Sequence, residues 1–185
     1  NDYTLPGALV GKILRSPHAH ARIEKIDTSK AEKLKGVKAV VTSKDFPDQN
    51  FAYIGAERVA VNFWHVTRNI MAREKALYEG HAVAAVAATD AVTANKALKL
   101  IKVEYEVLEP LLDPKAAVAD DAPLIHPDLG DYGHVPWFFP KANTNIAHWR
   151  KIRKGDTERA FAEADFVLED TYRVPRYAHC AIEPH

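Results

Sequence analysis

The sequence predicts a mixed α/β fold, in which helices and strands pack together around a shared sheet. Three consecutive segments support this prediction. A short apolar run occupies Ala82–Ala88, a helical apolar stripe follows it, and a segment of strict two-residue alternation begins at Lys102. A strand, a helix and a second strand therefore follow one another between Tyr78 and Leu108, with almost no residues left over.

The first strand and the helix of this unit have clear local signals. Ala82–Ala88 contains two valines, and its length suits a strand buried on both faces, although a buried helical segment has the same pattern. Asp90 then offers a side-chain oxygen to the free amides of a first helical turn. The stripe of this helix is spaced at i, i+3, i+4 and i+7 and consists of Ala94, Ala97, Leu98 and Ile101.

The second strand is predicted from its alternation, which Pro110 ends. Its apolar and polar faces are formed by Val103, Tyr105 and Val107 and by Lys102, Glu104 and Glu106, respectively. The helix between the strands has about twelve residues, enough for a parallel crossover. We therefore expect the two strands to pair in parallel, although no residue fixes this pairing.

The N-terminal part is predicted to contain strands and one short helix. Pro17 separates the first two strands, and Ser29 with Glu32 has the spacing of a capping box that opens the helix. Gly36 is suited to ending that helix. The predicted strands are Ala8–Arg15, Ala21–Ile26 and Val37–Thr42.

Three segments interrupt this regular pattern. Phe46–Arg73 mixes aromatic and polar residues without a clear period, which indicates an insertion or a long loop. Leu111–Ala119 has room for a short helix. Asp120–Thr144 has four prolines and two glycines, as expected of an extended connector. Its Trp137–Phe139 triplet predicts that the connector packs, either on this chain's own core or against another domain or subunit.

The C-terminal part is predicted to be a helix followed by a strand. Asp156 is the expected N-cap, and the apolar face of the helix consists of Ala160, Phe161 and Ala164. Phe166–Val174 then alternates as a half-buried strand does, with Asp170 as the exception and Pro175 at its end.

Composition excludes several functional classes. Of 185 residues, 47% are apolar, which is enough for a real core in one or two domains. The 25 basic and 25 acidic residues balance, so charge gives no reason to expect nucleic acid or an anionic membrane as a partner. The single Cys180 fits a reducing compartment and excludes an internal disulfide framework.

Targeting signals are also absent from the sequence pattern. No apolar run approaches the roughly 20 residues that span a bilayer. The first residues, NDYTLPG, lack the features of a signal peptide and include no initiator Met, so we expect a fragment or a processed product. A cytoplasmic location is the expectation.

Metal-ligand residues occur in two places. His18 and His20 would share a face on a strand and could chelate a metal, but no third ligand has a supporting spacing, which favours a surface or structural role. The second group lies at the C-terminal end, where Pro184 breaks any helical face that would align it. Its members are His179, Cys180, Glu183 and His185. A zinc site there would need ligands from elsewhere.

Other catalytic patterns are weak. Adjacent residues of an extended chain point to opposite faces, so His179 and Cys180 do not suit a base and nucleophile pair. The eight glycines form neither GxGxxG nor a phosphate-binding loop. A basic cluster predicts either a solvated face or docking to an acidic partner surface, and it consists of Lys141, Arg150, Lys151, Arg153 and Lys154. The sequence therefore predicts no catalytic, cofactor-binding or metal-binding residue in this chain.

A series of collinear segments resembles a known family. The segments are LPGALVGKILRSPHAHARIEKID, GVKAVVTSKD, YEGHAVAAVAATD, IKVEYEVLEPLLDPKAA, GDTERAFAEADFVLEDTYR and HCAIEPH. Together they cover most of the chain and resemble the large, molybdenum-binding subunits of the xanthine dehydrogenase/aldehyde oxidase family of molybdenum hydroxylases. Phe46–Arg73 and Asp120–Thr144 match poorly and resemble variable insertions.

The resemblance implies a domain order. Residues 1–120 would form an α/β-hammerhead domain, residues 121–143 an extended connector, and residues 144–185 the beginning of a molybdopterin-binding domain. Such subunits use a molybdenum–pterin cofactor and a catalytic glutamate near the subunit's C-terminus. Their electrons leave through two 2Fe-2S clusters and usually FAD, on partner chains or domains.

The departures from the family pattern limit what is carried over. The family's glycine-rich cofactor loops and catalytic glutamate have no counterpart here, and Glu183 does not take that role. Several thiolates are needed for an iron–sulfur cluster, and this chain has one cysteine. The leading hypothesis is therefore a structural, non-catalytic part of a molybdenum subunit. Its partners would be the remainder of that subunit, an iron–sulfur subunit and possibly a flavin subunit.

Two rival hypotheses use the same residues differently. A free-standing binding or assembly module of the same fold would use Trp137–Phe139 and Arg150–Lys154 as its contact surface. A metal-dependent hydrolase would use His18 and His20 or the His179–His185 cluster, and it is the weaker of the two.

Overall fold

The computed structural model describes residues 5–49, 52–54, 60–129, 140–175 and 177. Within these residues the strands are β1 (Val10–Arg15), β2 (Ala21–Asp27), β3 (Val37–Thr42), β4 (Ala52–Ile54), β5 (Ala60–Asn62), β6 (Lys75–Ala76), β7 (Ala82–Ala88) and β8 (Lys102–Val107). The helices are α1 (Ser29–Glu32), α2 (Phe63–Ile70), α3 (Ala91–Leu100), α4 (Pro114–Ala117) and α5 (Thr157–Glu163). A 3₁₀ turn at Ser43–Asp45 follows β3. The mixed α/β class is confirmed.

The chain divides into two compact units. The first is Pro6–Trp149, and the described part of the second consists of Leu5, residues 150–175 and Tyr177. The expected boundaries at 120 and 143 stay predictions.

The first unit contains three small antiparallel sheets among its described residues. One has the order β1-β7-β3, the second β6-β2-β8, and the third is the hairpin of β4 and β5. The expected parallel pairing of Ala82–Ala88 with Lys102–Val107 is wrong. Both edges of β7 are occupied by antiparallel neighbours, so β8 continues into the other sheet and pairs with β2.

The core lies where helices cover the β1-β7-β3 sheet. Small side chains on both surfaces allow close approach, and the predicted stripe of α3 faces inward with Ala94 and Ala97 fully buried. The cluster of buried residues consists of Ala31, Ala84, Val86, Ala88, Ala94, Ala97 and Ile101. These buried residues confirm two predictions, namely that the apolar run Ala82–Ala88 is largely buried and that the apolar stripe of α3 faces the core.

Local caps set the ends of the helices. The side chain of Asp90 accepts a hydrogen bond from the Thr93 amide at 2.8 Å, which confirms the predicted N-cap of α3. The predicted capping box of Ser29 and Glu32 is wrong. Thr28 is the N-cap of α1, and its hydroxyl bonds the Glu32 carboxylate, so neither side chain caps a free amide.

Gly36 follows α1, as predicted, and links it to β3. Its φ of +97° lies in the left-handed region that favours glycine. Its carbonyl oxygen accepts a hydrogen bond from the Thr89 amide at 2.9 Å. A Cβ at this position would lie 2.9 Å from Thr89 Oγ1, so the close approach of the two segments also requires glycine.

Regular structure occupies part of the predicted insertion Phe46–Arg73. The β4–β5 hairpin and α2 lie there, so the long-loop alternative is wrong for these residues, and the insertion alternative stays a prediction. Helix α2 is fixed in part by a tertiary contact, in which the buried ring of His81 approaches the Arg68 carbonyl at 3.0 Å through Nε2. Within the helix, the Thr67 hydroxyl donates to the Phe63 carbonyl at 2.9 Å.

The described residues of the connector fold back on their own unit. The side chain of Asn145 accepts a hydrogen bond from the Ile125 amide and donates to the carbonyls of Ala117 and Pro123. Leu129 is buried. The short helix expected in Leu111–Ala119 is confirmed as α4. Trp137–Phe139 lies outside the described residues.

The second unit contains α5, which begins at the predicted cap. Asp156 accepts a hydrogen bond from the Arg159 amide at 3.0 Å. The predicted strand at Phe166–Val174 is wrong, because the structure shows no strand over these residues. The described part of the unit offers no neighbouring strand with which this segment could pair, and a single strand has no partners for its backbone groups.

Candidate functional site

The two histidines of the predicted metal pair have separate partners. The ring of His18 meets the edge of Tyr105, with 5.1 Å between centroids, and burial raises the pKa of that tyrosine. His20 is buried, and its Nδ1 lies 2.8 Å from the Glu109 carbonyl. Both residues precede β2 in the β1–β2 connection instead of lying on a strand. Among the described residues, no group of three ligand-type side chains is arranged to hold a metal.

The other candidate residues, those of the C-terminal cluster and of the basic cluster, lie in different parts of the chain. Residues 178–185, which include the whole His179–His185 cluster, lie outside the described part of the chain. Lys141 belongs to the first unit, and the four remaining basic residues, at 150, 151, 153 and 154, belong to the second. All five are exposed. The structure therefore does not bring the predicted basic cluster together in one unit.

A charged platform on α2 was missed by the sequence prediction. The guanidinium carbon of Arg68 lies 3.3 Å above the centre of the Trp64 ring, one helical turn away. Its two terminal nitrogens each form an ion pair at 2.9 Å, with Asp48 and Glu74. The hydrogen bond from Arg68 lowers the pKa of Asp48. The i, i+4 spacing of Trp64 and Arg68 is the sequence signal that could have revealed this platform.

The platform forms one wall of a cavity of about 320 Å³ in the first unit. Ile125, His126 and Pro127 also line the cavity. Burial lowers the pKa of His126, against the opposing effect of Asp128. The cavity therefore combines apolar walls with charged groups, although its arginine is already held by two carboxylates.

His81 joins three segments of the first unit. Its Nδ1 accepts a hydrogen bond from the Leu77 amide at 3.2 Å, and Nε2 donates to the Arg68 carbonyl at 3.0 Å. The Tyr78 ring stacks on it with 4.4 Å between centroids. Burial lowers the pKa of His81, and both nitrogens are used in the neutral form, so its role is structural.

The second unit exposes a series of large apolar side chains. Phe166 and Tyr172 are 80% and 82% exposed, and the described residues 150–175 are all exposed. Exposed apolar groups of this number normally mark a contact surface. From residue 150 onward the exposed large apolar side chains are Ile152, Phe161, Phe166, Val167, Leu168, Tyr172, Val174 and Tyr177. We call this set the apolar strip.

No helix in the described part of the chain is long and apolar enough to cross a membrane.

Comparison with known proteins assigns the chain to a class. Residues 1–109 match the family model described as "Aldehyde oxidase and xanthine dehydrogenase, a/b hammerhead domain". Residues 138–185 match a second model, described as a molybdopterin cofactor-binding domain. The first match covers more than half of the 185 residues. The chain therefore belongs to the aldehyde oxidase and xanthine dehydrogenase hammerhead family, as the sequence resemblance implied.

Similar proteins include subunits of a carbon monoxide dehydrogenase and of a probable xanthine dehydrogenase. The carbon monoxide dehydrogenase large chain of Afipia carboxidovorans is 38% identical over 95% of this chain and 21% of its own length. A probable xanthine dehydrogenase subunit of Bacillus subtilis is 37% identical over 98% of this chain and 21% of its own length. A solved structure of reconstituted CO dehydrogenase from Oligotropha carboxidovorans is 41% identical, with a TM-score of 0.58 over 70% of this chain and 15% of that one.

The chain spans about a fifth of the length of these curated relatives. It matches the N-terminal part of molybdenum-binding subunits. The described residues in the region of the second family model do not fit a pterin cofactor by themselves. Every described residue from 150 to 175 is exposed, so no enclosed set of donors converges there.

Proposed function

We propose that this chain is a structural part of the molybdenum-binding subunit of a xanthine dehydrogenase/aldehyde oxidase-like oxidoreductase. It would provide a rigid hammerhead unit and the first segment of a cofactor domain, without a catalytic residue of its own. The apolar strip is the observation that supports this role most directly. Eight large side chains in solvent forfeit roughly 1.5–3 kcal/mol each relative to burial, so a covering surface is favoured.

The titratable groups of the first unit support a non-catalytic role. Asp48 is bonded to Arg68, Asp90 caps α3, and His81 bonds two backbone groups. The pKa of each of these three groups is lowered. Hydrogen bonds are the main cause for the two aspartates, and burial is the main cause for the histidine. None of these three groups lines the cavity of about 320 Å³, whereas His126, whose pKa is also lowered by burial, does line it.

The whole enzyme would supply the chemistry. We assign the molybdenum–pterin cofactor to the complete subunit, with 2Fe-2S clusters and FAD on partner chains, in the cytoplasm. The single cysteine of this chain is consistent with the clusters lying elsewhere, because each cluster needs several thiolates. The partners would be the remainder of the subunit and the iron–sulfur and flavin chains.

Two measurements test this proposal. Metal analysis of the purified chain should find no stoichiometric molybdenum, whereas a one-to-one content would refute the non-catalytic role. Hydrogen exchange should show fast amides at 166–174 in the chain alone and slow amides in the assembled enzyme. Residues 82–88 provide the internal control, because they are slow in both samples. Equally fast exchange at 166–174 in the assembly would disprove the covering of the apolar strip.

A free-standing binding module of the same fold is the second candidate. It is favoured by the exposure of the basic residues between Arg150 and Lys154. An acidic partner would be retained by the purified chain at low salt and released at high salt. A Lys151→Gln/Arg153→Gln/Lys154→Gln variant should lose this retention, and retention by the variant equal to that of the natural chain would exclude the module.

A further inference from the structure

The β1-β7-β3 sheet has two uncharged rows of residues on the side that faces away from α3. Successive residues of a strand point to opposite faces, and directly paired residues share a face. Each row crosses all three strands through a residue of β7. The rows are Ile13–Ala85–Val41 and Gly11–Ala87–Ala39. We call these six residues the outer face.

The two faces of the sheet have similar side chains and different surroundings. Ala84, Val86 and Ala88 of β7 are buried in the core that includes α3. On the outer face, in contrast, Ile13 is 46% exposed. Gly11 and Ala39 are also exposed, and the other three residues are half-buried. The strand that packs on one side therefore contacts solvent on the other.

The composition of β7 is typical of a strand that is covered on both faces. An antiparallel strand with one solvated face normally alternates apolar and polar residues, whereas a strand buried on both sides forms a continuous apolar run. β8 shows the first pattern, with Lys102, Glu104 and Glu106 alternating with apolar residues. β7 shows the second, since none of its seven residues is polar. The outer face therefore lacks the polar side chains of a solvated surface.

The size of the outer face indicates what kind of element can cover it. Three strands about 4.8 Å apart and two rows of side chains give an area of roughly 200 Å². A stable complex between separate chains buries about 800 Å² on each partner. The outer face alone is thus too small to hold a second copy of this chain. An element tethered to the same chain needs less area, because the tether supplies a high effective concentration.

We propose that the outer face binds an apolar helix or sheet from the remainder of the molybdenum-binding subunit. The chain spans about a fifth of its curated relatives, so about four fifths of such a subunit is available to supply this element. The small side chains permit close approach, as they do where Ala94 and Ala97 pack on the opposite side. This inference rests on the proposed function and adds a specific contact surface to it.

The test compares thiol alkylation in the chain alone and in the complete subunit, read peptide by peptide with mass spectrometry. Ile13→Cys places a thiol on the outer face, and Lys12→Cys places one on the opposite side of the same strand, where Lys12 is exposed. An exposed thiol reacts and a buried one is inert, so alkylation at position 13 should be at least about tenfold slower in the subunit. The rate at position 12 should be similar in both samples. Ala87→Cys provides a second outer-face probe if Ile13→Cys fails to fold.

Three results would overturn the proposal. The first is an equal rate at the outer-face thiol in the two samples. The second is an equal slowing at position 12, which would indicate general shielding. The third is slowing in the chain alone that increases with its concentration and accompanies a doubled mass in light scattering, because it would identify a second copy as the occupant.

The same samples separate this inference from the proposed function. Unchanged alkylation at position 13, together with slow amides at 166–174 in the assembled enzyme, would leave the structural role intact and remove the outer-face contact. Stoichiometric molybdenum in the chain alone would refute the non-catalytic role, whereas slower alkylation at position 13 in the subunit would still support the contact.

Discussion

Residues 82–101 and residues 157–174 have similar amphipathic patterns and different outcomes. In the first segment Ala94 and Ala97 are fully buried against a sheet. In the second, Phe161 and Phe166 are 66% and 80% exposed. Both helices begin at an aspartate N-cap, so the helix signals work in both places. The alternation at Phe166–Val174, in contrast, predicted a strand that the structure does not show. The difference teaches that a periodic pattern predicts neither the surface that covers an apolar face nor, for a strand, the partner that the strand needs.

The largest expected effect comes from placing a charge on each apolar face. Val86→Asp buries a carboxylate in the core, where Val86 is 2% exposed, and should cost at least about 4 kcal/mol of unfolding free energy. Phe166→Asp should change it by less than about 0.5 kcal/mol. Urea denaturation followed by circular dichroism measures both. Similar losses in the two variants would show that the apolar strip is already covered within this chain.

Replacing one glycine in each unit compares how much a strained backbone position in that unit affects stability. Gly36→Ala forces a Cβ to 2.9 Å from Thr89 Oγ1 at a φ of +97°, and should cost about 2 kcal/mol. Gly155→Ala has a φ of +73° and open space within 4 Å, so its strain is local and the unfolding midpoint of the first unit should stay constant. A shift of that midpoint in Gly155→Ala would indicate that the two units unfold together.

The pH dependence of stability is expected to come from two histidines of the first unit. Burial lowers the pKa of His81 below its ordinary value of 6.5, so the unfolded chain binds the proton first as the pH falls. Stability present above about pH 6.5 is therefore lost below it, by at most about 1.4 kcal/mol per pH unit for one proton. The pKa of His126 shifts in the same direction. Urea midpoints between pH 5 and 8 should flatten in a His81→Phe/His126→Gln variant, and an unchanged slope would contradict this assignment.

The smallest effect is expected at the two helix caps. Asp90→Ala removes the acceptor of the Thr93 amide and should cost about 1 kcal/mol. Asp156→Ala removes the acceptor of the Arg159 amide but should change global stability by less than about 0.5 kcal/mol, because α5 has no buried face. Chemical denaturation gives both values, and equal losses would mean that α5 is part of the cooperative core.

Elements with local signals were predicted well from the sequence. The bounds of β7 were obtained to the residue, and those of α3 and β8 followed from a cap, a stripe and an alternation. Sheet partners were not predictable in this way, because pairing depends on which edges other segments occupy. Helix α2 was missed for a similar reason, since its contacts with His81 and Asp48 come from distant parts of the chain.

The candidate sites also divide into features that local sequence patterns predicted and features that depend on distant segments. The family was recognisable from collinear segments, and its match is confirmed. The ion pairs of Arg68 with Asp48 and Glu74 were not predicted, because these residues have no common spacing in the sequence. His18 and His20 had a suggestive spacing, yet the chain bends before β2 and gives each a different neighbour.

The pairing of β1 with β7 has a consequence for synthesis on the ribosome. Val10 pairs with Ala88, so 78 positions separate these two partners. Contacts of such long range make folding slow, because closing a long loop loses chain entropy before other native contacts compensate for it. During translation, the edge of β1 that pairs with β7 is therefore expected to remain unpaired until β7 has left the exit tunnel. This interval is when β1 is most exposed to aggregation, and when a chaperone has the most to protect.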